Sequence, residues 1–204
     1  MEIKNNQVTV SGVVKSQFTY SHTVYGESFY MVTICSERLS EEADYLPLMI
    51  SDRLFDIKQD LSGKFIVVNG QFRSYNDWKE GQSRLKLYVY ARDIHITEYT
   101  PPENYITLEG FLCKEPIYRK TPKGRTIADV VLAVNRPYGK SDYIPCICWG
   151  RNASFVARLF VGSNVRLEGR IQSREYGKVL PSGEREIRTA YEVSVSRIEV
   201  VYDE

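Results

Sequence analysis

The chain has 204 residues, 43% of them hydrophobic and 26% charged, a balance that fits a folded globular protein and excludes a disordered or fibrous one. Its net charge is +1, so bulk charge points to no partner, and no apolar run approaches the ~20 residues of a membrane-spanning helix. The polar start, MEIKNNQVTV, lacks an apolar leader, so a cytoplasmic protein is expected. Cys35, Cys113, Cys146 and Cys148 form no C-x-x-C pair and only His22 and His95 could join them, so no metal site is expected.

In chain order the first landmarks fall in residues 8–51, and these return at 106–149 with a constant offset and no gaps. Thr9, Gly12, Tyr20, Gly26, Val32, Arg38, Asp44, Tyr45 and Pro47 fall on Thr107, Gly110, Tyr118, Gly124, Val130, Arg136, Asp142, Tyr143 and Pro145. After one inserted residue, GKFIVVNGQFRS at 63–74 falls on GSNVRLEGRIQS at 162–173. Two copies of about 100 residues are too long for solenoid repeats and each is large enough for its own core. Boundaries are expected at 1–98, a linker at 99–104, and 105–204. The linker, around Pro101 and Pro102, is polar and cannot continue a ladder.

Between the two repeated runs of the first copy, Leu54, Ile57 and Leu61 recur at helical spacing before Gly63, which predicts a short helix over 52–61. The second copy opens with an alternating strand over 105–112. A Thr-Pro-Lys-Gly turn at 121–124 leads to a second strand over 127–135, and a third covers 142–149. Ala153, Val156, Ala157 and Phe160 then share one face of a predicted helix over 152–160, stopped by Gly162. Strands over 164–174 and 187–200 flank a polar hairpin. Five strands with a helix between the third and fourth, in both copies, predict an all-β chain of two tandem OB-folds.

Along the third strand of the second copy, Ile144, Cys146 and Cys148 alternate with Tyr143, Pro145, Ile147 and Trp149. The first set suits a barrel interior. The second carries an aromatic at each end, roughly 20 Å apart at ~3.3 Å per residue. Arg136 and Tyr138 precede this strand, Arg151 follows it, and Arg170, Arg174 and Tyr176 lead into the hairpin. Residues 1–100 hold 11 Lys and Arg against 13 Asp and Glu, whereas residues 101–204 hold 16 against 13, so the basic excess lies in the second copy. Aromatics interleaved with guanidiniums suit single-stranded nucleic acid, whose bases stack and whose phosphates reward positive charge. Tyrosines in β proteins are also ordinary cross-strand packers, and the combination on one face carries the reading.

The second copy resembles the bacterial single-stranded DNA-binding protein family. The matching runs are 106–110, Ala128-Asp129-Val130-Val131-Leu132-Ala133-Val134-Asn135-Arg136, Cys148-Trp149-Gly150-Arg151, 162–165, Glu168-Gly169-Arg170-Ile171 and Tyr191-Glu192-Val193. The resemblance implies an OB-fold that wraps single-stranded DNA without sequence readout, with stacking residues at Tyr138, Tyr143, Trp149 and Tyr176. It also implies a total of four OB-folds, hence a homodimer of this two-copy chain. The first copy departs from the family: Ser51 stands at the Trp149 position and Leu39-Ser40-Glu41-Glu42 replaces Pro137-Tyr138-Gly139-Lys140. It keeps Arg38 and Tyr45, and its hairpin offers Tyr75 and Trp78, so weaker DNA binding or a turn toward packing is expected there.

The family's acidic tail has no counterpart after Glu199-Val200-Val201-Tyr202-Asp203-Glu204, so recruitment through such a tail is not expected. The expected function is coating of single-stranded DNA in replication, recombination or repair, on nucleoid DNA in the cytoplasm, with RNA as a further ligand. The alternative is a primosome-type accessory protein acting mainly through contacts with replication or repair proteins. No cofactor and no catalytic role are expected, because no D-x-D, H-E-x-x-H or G-x-x-x-x-G-K-[ST] pattern occurs.

Overall fold

The computed structural model describes residues 4–40, 42–79 and 82–202, with the side chains of Trp78, Lys79 and Gln82 outside that set. The first copy supplies β1 (Asn6–Val14), β2 (Thr19–Val24), β3 (Glu27–Glu37), β4 (Ala43–Ser51), β5 (Phe65–Lys79) and β6 (Gln82–Thr97). The second supplies β7 (Asn104–Leu112), β8 (Ile117–Lys120), β9 (Thr126–Arg136), β10 (Lys140–Trp149), α1 (Gly150–Val156), β11 (Asn164–Val179) and β12 (Arg185–Val200).

Alternation closes each copy into a barrel. In β3 and β4 the inward set is Val32, Ile34, Leu46, Leu48 and Ile50; in β9 and β10 it is Val130, Leu132, Val134, Ile144, Cys146 and Cys148, all buried. Burial pushes the Cys148 thiol up to about 12 and raises Cys146 as well, so both stay protonated as small apolar fillers. In the first copy β1 pairs with β3, β3 with β4, β4 in parallel with β6, β6 with β5, and β5 with β1. The second repeats the ring through β7, β9, β10, β12 and β11, again with one parallel pair, β10–β12. These are tandem OB-folds. Closure requires backbone to pass close over Gly12 and Gly110, where a Cβ would run into the carbonyls of Cys35 and Ala133.

Three expectations change. Each copy has a sixth strand, because the segments before the Gly26 and Gly124 turns pair back on β3 and β9 as the arms β2 and β8. The helix expected over 52–61 is absent. The Oγ of Ser51 takes the N–H of Arg53, and the carboxylates of Asp56 and Asp60 take those of Lys58 and Ser62. These local turns compete with helix formation over the whole segment. In the second copy the helix forms but is shorter than the periodicity suggests. Ala153 and Val156 face inward as read, whereas Phe160 lies beyond its end and is exposed.

The two barrels share one sheet. β1 and β7 run antiparallel with Val8 opposite Ile106, and those two residues are equivalents in the repeat. The ladder is therefore symmetric about that pair. It extends on either side through Ser11 N–H to Glu103 O and Glu109 N–H to Asn5 O, each 2.8 Å and again equivalents. Outside the ladder, Tyr99 of the linker packs edge-on against Phe65. No helix among the described residues is long and apolar enough to cross a membrane.

Candidate nucleic-acid interface

The outward face of β10 begins at the junction between the barrels. The backbone N–H of Tyr143 donates to Ser74 Oγ of the first copy at 2.8 Å, and that of Tyr45 donates to Ser173 Oγ of the second at 3.0 Å. Each barrel thus fixes the first aromatic of the other's central strand. Tyr143 is about half exposed, and so is Tyr45. At the far end of β10, Trp149 is partly buried and its indole N–H donates to Ser194 Oγ on β12 at 3.1 Å. Between them Ile147 is buried, so the outward row is two aromatic ends over an apolar middle.

Tyr138 stands off the β9–β10 turn with its side chain almost wholly exposed and its backbone at φ 64°, in the left-handed region. That conformation is unfavourable for a residue with a Cβ. Tyr176 lies on the β11 arm, 39% exposed, opposite Arg188. Arg151 in the first turn of α1 and Arg174 on β11 are both exposed, and neither makes an ion pair with the described residues.

The remaining expected arginines are committed elsewhere. Arg38 grips the sealed carboxylate of Asp44 with two hydrogen bonds, 2.6 and 2.9 Å, and Arg170 reaches the same carboxylate at 3.3 Å from the other barrel. The hydrogen bond to Asp44 raises the Arg38 pKa, while burial lowers that of Arg170. Asp44 also accepts the backbone N–H of Ser173 at 2.7 Å. The equivalent site repeats this across the junction, with Asp142 accepting the N–H of Ser74 at 2.6 Å and facing Arg136 at 3.0 Å. That second ion pair is close but misaligned: neither Arg136 Nε nor Asp142 Oδ2 completes a hydrogen bond. Burial raises the Asp142 pKa above the usual carboxylate range. Arg38, Arg136 and Arg170 therefore hold the barrels together.

On the first copy, Phe29, Met49 and Tyr88 bury one another on the outer face, with Met31 and Tyr90 packed against them. His22 stacks on Phe29 and Tyr75 leans on Tyr88, with ring centroids 5.0 and 5.8 Å apart. Arg73 lies over the Tyr90 ring at 4.0 Å. Trp78 is a β5 residue whose side chain lies outside the described set. The sequence reading missed Phe29, Tyr88 and Tyr90. The alternation that places Tyr88 and Tyr90 on one face of β6 was the available signal. Among the described residues no three His, Cys, Asp or Glu side chains gather as a metal site would require.

A model of the single-strand binding protein family matches residues 103–201. The match spans the C-terminal barrel. Relatives agree: the single-stranded DNA-binding protein of Halalkalibacterium halodurans is 40% identical over 80 residues, 36% of this chain and 48% of that protein. Single-stranded DNA-binding protein A of Bacillus subtilis is also 40% identical over 80 residues, 36% of this chain and 46% of that protein. The chain spans about half the length of these curated relatives. Across both barrels, the fold is similar to the crystal structure of the wild-type single-stranded DNA binding protein from Thermus aquaticus. The TM-score is 0.79 with 20% identity, covering 98% of this chain and 94% of that one.

Proposed function

We propose that the protein binds single-stranded DNA without sequence readout, by stacking and charge alone, in replication, recombination or repair. One observation carries the reading: the exposed aromatics Tyr138, Tyr143 and Tyr176 and the partly buried Trp149 occupy a single barrel beside Arg151 and Arg174, two exposed guanidiniums with no ion pair among the described residues. Bases stack on any aromatic face, and the two arginines neutralise passing phosphates. The match of the C-terminal barrel to the single-strand binding protein family supports the same ligand. Nothing in this chemistry rejects a 2′-hydroxyl, so single-stranded RNA is a further ligand of the same face. The first barrel's outer aromatics largely bury one another and contribute less.

Two chains together present four barrels. The outer surface of the shared sheet holds a shallow hollow of about 400 Å³ floored by Gln7, Thr9, Gln71, Tyr105 and Thr107, a suitable face for a second copy. This activity would place the protein on nucleoid DNA.

Titration with oligo-dT under tryptophan fluorescence tests the reading. Saturable quenching that weakens with salt is expected, and Trp149→Ala is expected to cost about 1–3 kcal/mol of binding. No quenching at low salt would instead turn attention to a partner protein.

A further inference from the structure

The two barrels carry an aromatic ring and a serine at the same pair of places, but exchanged. In the parallel ladders Ile147 lies opposite Ser194 and Met49 opposite Tyr90, so Tyr90 is the repeat equivalent of Ser194. The antiparallel ladders agree, with Arg170 opposite Ser194 and Gln71 opposite Tyr90. Two residues beyond Ile147 and Met49 stand Trp149 and Ser51. The second barrel thus holds its ring on β10 and its hydroxyl on β12, whereas the first holds its hydroxyl on β4 and its ring on β6. The hydroxyls are used differently. Ser51 Oγ donates to Glu27 and accepts the N–H of Arg53, while Tyr90 is held by packing, under Arg73 and beside Phe29. Ser194 Oγ accepts the indole N–H of Trp149 at 3.1 Å and makes no other hydrogen bond among the described residues.

That bond acts on the ring and not on the backbone. The ladder between β10 and β12 ends at Cys148 opposite Val195, one residue short of Trp149. On its other side Trp149 pairs with Ile127 of β9, and Gly150 at φ 53° then turns the chain off the sheet into α1. The start of the helix has its own tether, Asn152 Nδ2 donating to the Ser196 carbonyl at 3.0 Å. Ser196 Oγ in turn donates to the Glu168 carbonyl at 3.1 Å. The corner is therefore held without Ser194, whose hydroxyl fixes only how the indole is turned. Of the four aromatics on this face, Trp149 alone has its side-chain polar atom bonded among the described residues.

We propose that Ser194 is a positioning residue for base stacking: by holding the indole N–H, it presets the Trp149 ring in the orientation that a base meets. The proposal rests on the single-strand reading above and adds how one of its rings is made ready. A free indole gives up rotational freedom when a base lands on it, and that loss is subtracted from the stacking gain. An indole already bonded to Ser194 has lost this freedom on folding, so more of the gain appears as affinity. Trp149 is then the rigid member of the face, and Tyr138, Tyr143 and Tyr176 are its adaptable members.

Ser194→Ala and Ser194→Thr are to be compared with the wild-type chain on end-labelled oligo-dT, and Ser194→Ala also in a Trp149→Phe background, whose ring stacks but has no N–H. Binding is measured well below the thermal unfolding of every variant, so a change in stability does not enter the comparison. The indole proton–nitrogen resonance of Trp149, identified by its absence from Trp149→Phe, reports the bond itself. Ser194→Ala is expected to shift that resonance, to speed its exchange with water and to weaken binding about three- to tenfold. Ser194→Thr keeps the hydroxyl and is expected to recover both. In the Trp149→Phe background Ser194→Ala is expected to make no further difference, because the serine acts through the indole alone. An unmoved resonance, or an unchanged affinity in Ser194→Ala, would overturn the positioning role while leaving the function standing. An equal loss in the Trp149→Phe background would also overturn it, by assigning Ser194 to direct contact with the strand. If the wild-type chain does not bind oligo-dT, both readings fall.

Discussion

Tyr138 joins strain to exposure. A tyrosine at φ 64° with an almost fully exposed ring gains nothing from packing, and the left-handed conformation costs it about 1 kcal/mol. Tyr138→Gly is therefore expected to raise stability by about that amount in chemical denaturation. The same change is expected to weaken oligo-dT binding by ~1–3 kcal/mol, since a stacking surface is lost. Stabilisation without loss of binding would remove Tyr138 from the interface. At this scale the aromatics were legible in sequence because strand alternation assigns a face to each residue. The arginines were not. Arg38, Arg136 and Arg170 look the same in sequence as Arg151 and Arg174, and only the approach of the opposite barrel shows that the first three are consumed by Asp44 and Asp142.

Among the elements, the barrels follow from periodicity, whereas the segment 52–61 does not. Leu54, Ile57 and Leu61 keep a helical spacing, but Ser51, Asp56 and Asp60 each capture a backbone N–H two residues ahead. Periodicity records which side chains are apolar, not which polar ones compete for the backbone. The closing strands are more constrained. Gly110→Ala would push a methyl group into the Ala133 carbonyl where β7 meets β9, and backbone there cannot yield as a side chain would. A loss of about 1–3 kcal/mol is expected, read as a lower midpoint in urea. A neutral result would mean that the ring is less tightly closed than described.

For the whole molecule, the junction sets cooperativity and pH response. Asp44→Ala leaves Arg38 and Arg170 without their buried partner, and a loss of about 3–5 kcal/mol is expected, with both barrels affected in calorimetry. If only one barrel's transition moved, the junction would not couple them. Asp142 behaves oppositely to a well-paired carboxylate. Its folded pKa is raised, so the folded state holds that proton more tightly than the unfolded chain, and the group's contribution to stability fades as pH rises through the folded value. The melting temperature of the wild-type chain minus that of Asp142→Asn is accordingly expected to increase as pH is lowered from neutral toward about 4. A constant difference would mean that Asp142 titrates normally. None of this coupling was legible in sequence, because Asp44 and Asp142 are ordinary strand-start residues until the reciprocal Ser173 and Ser74 contacts bring them across the pseudo-two-fold axis.

That axis has an evolutionary corollary. Where identical chains meet about a true two-fold, any interface substitution lands twice, and each must suit both places at once. Covalent linkage lifts that restriction, so one member of each related pair is free to drift or specialise while the other keeps the joint closed. Gln71 and Arg170 are the outcome: the same position serves as a clasp in one half and leaves an opening in the other.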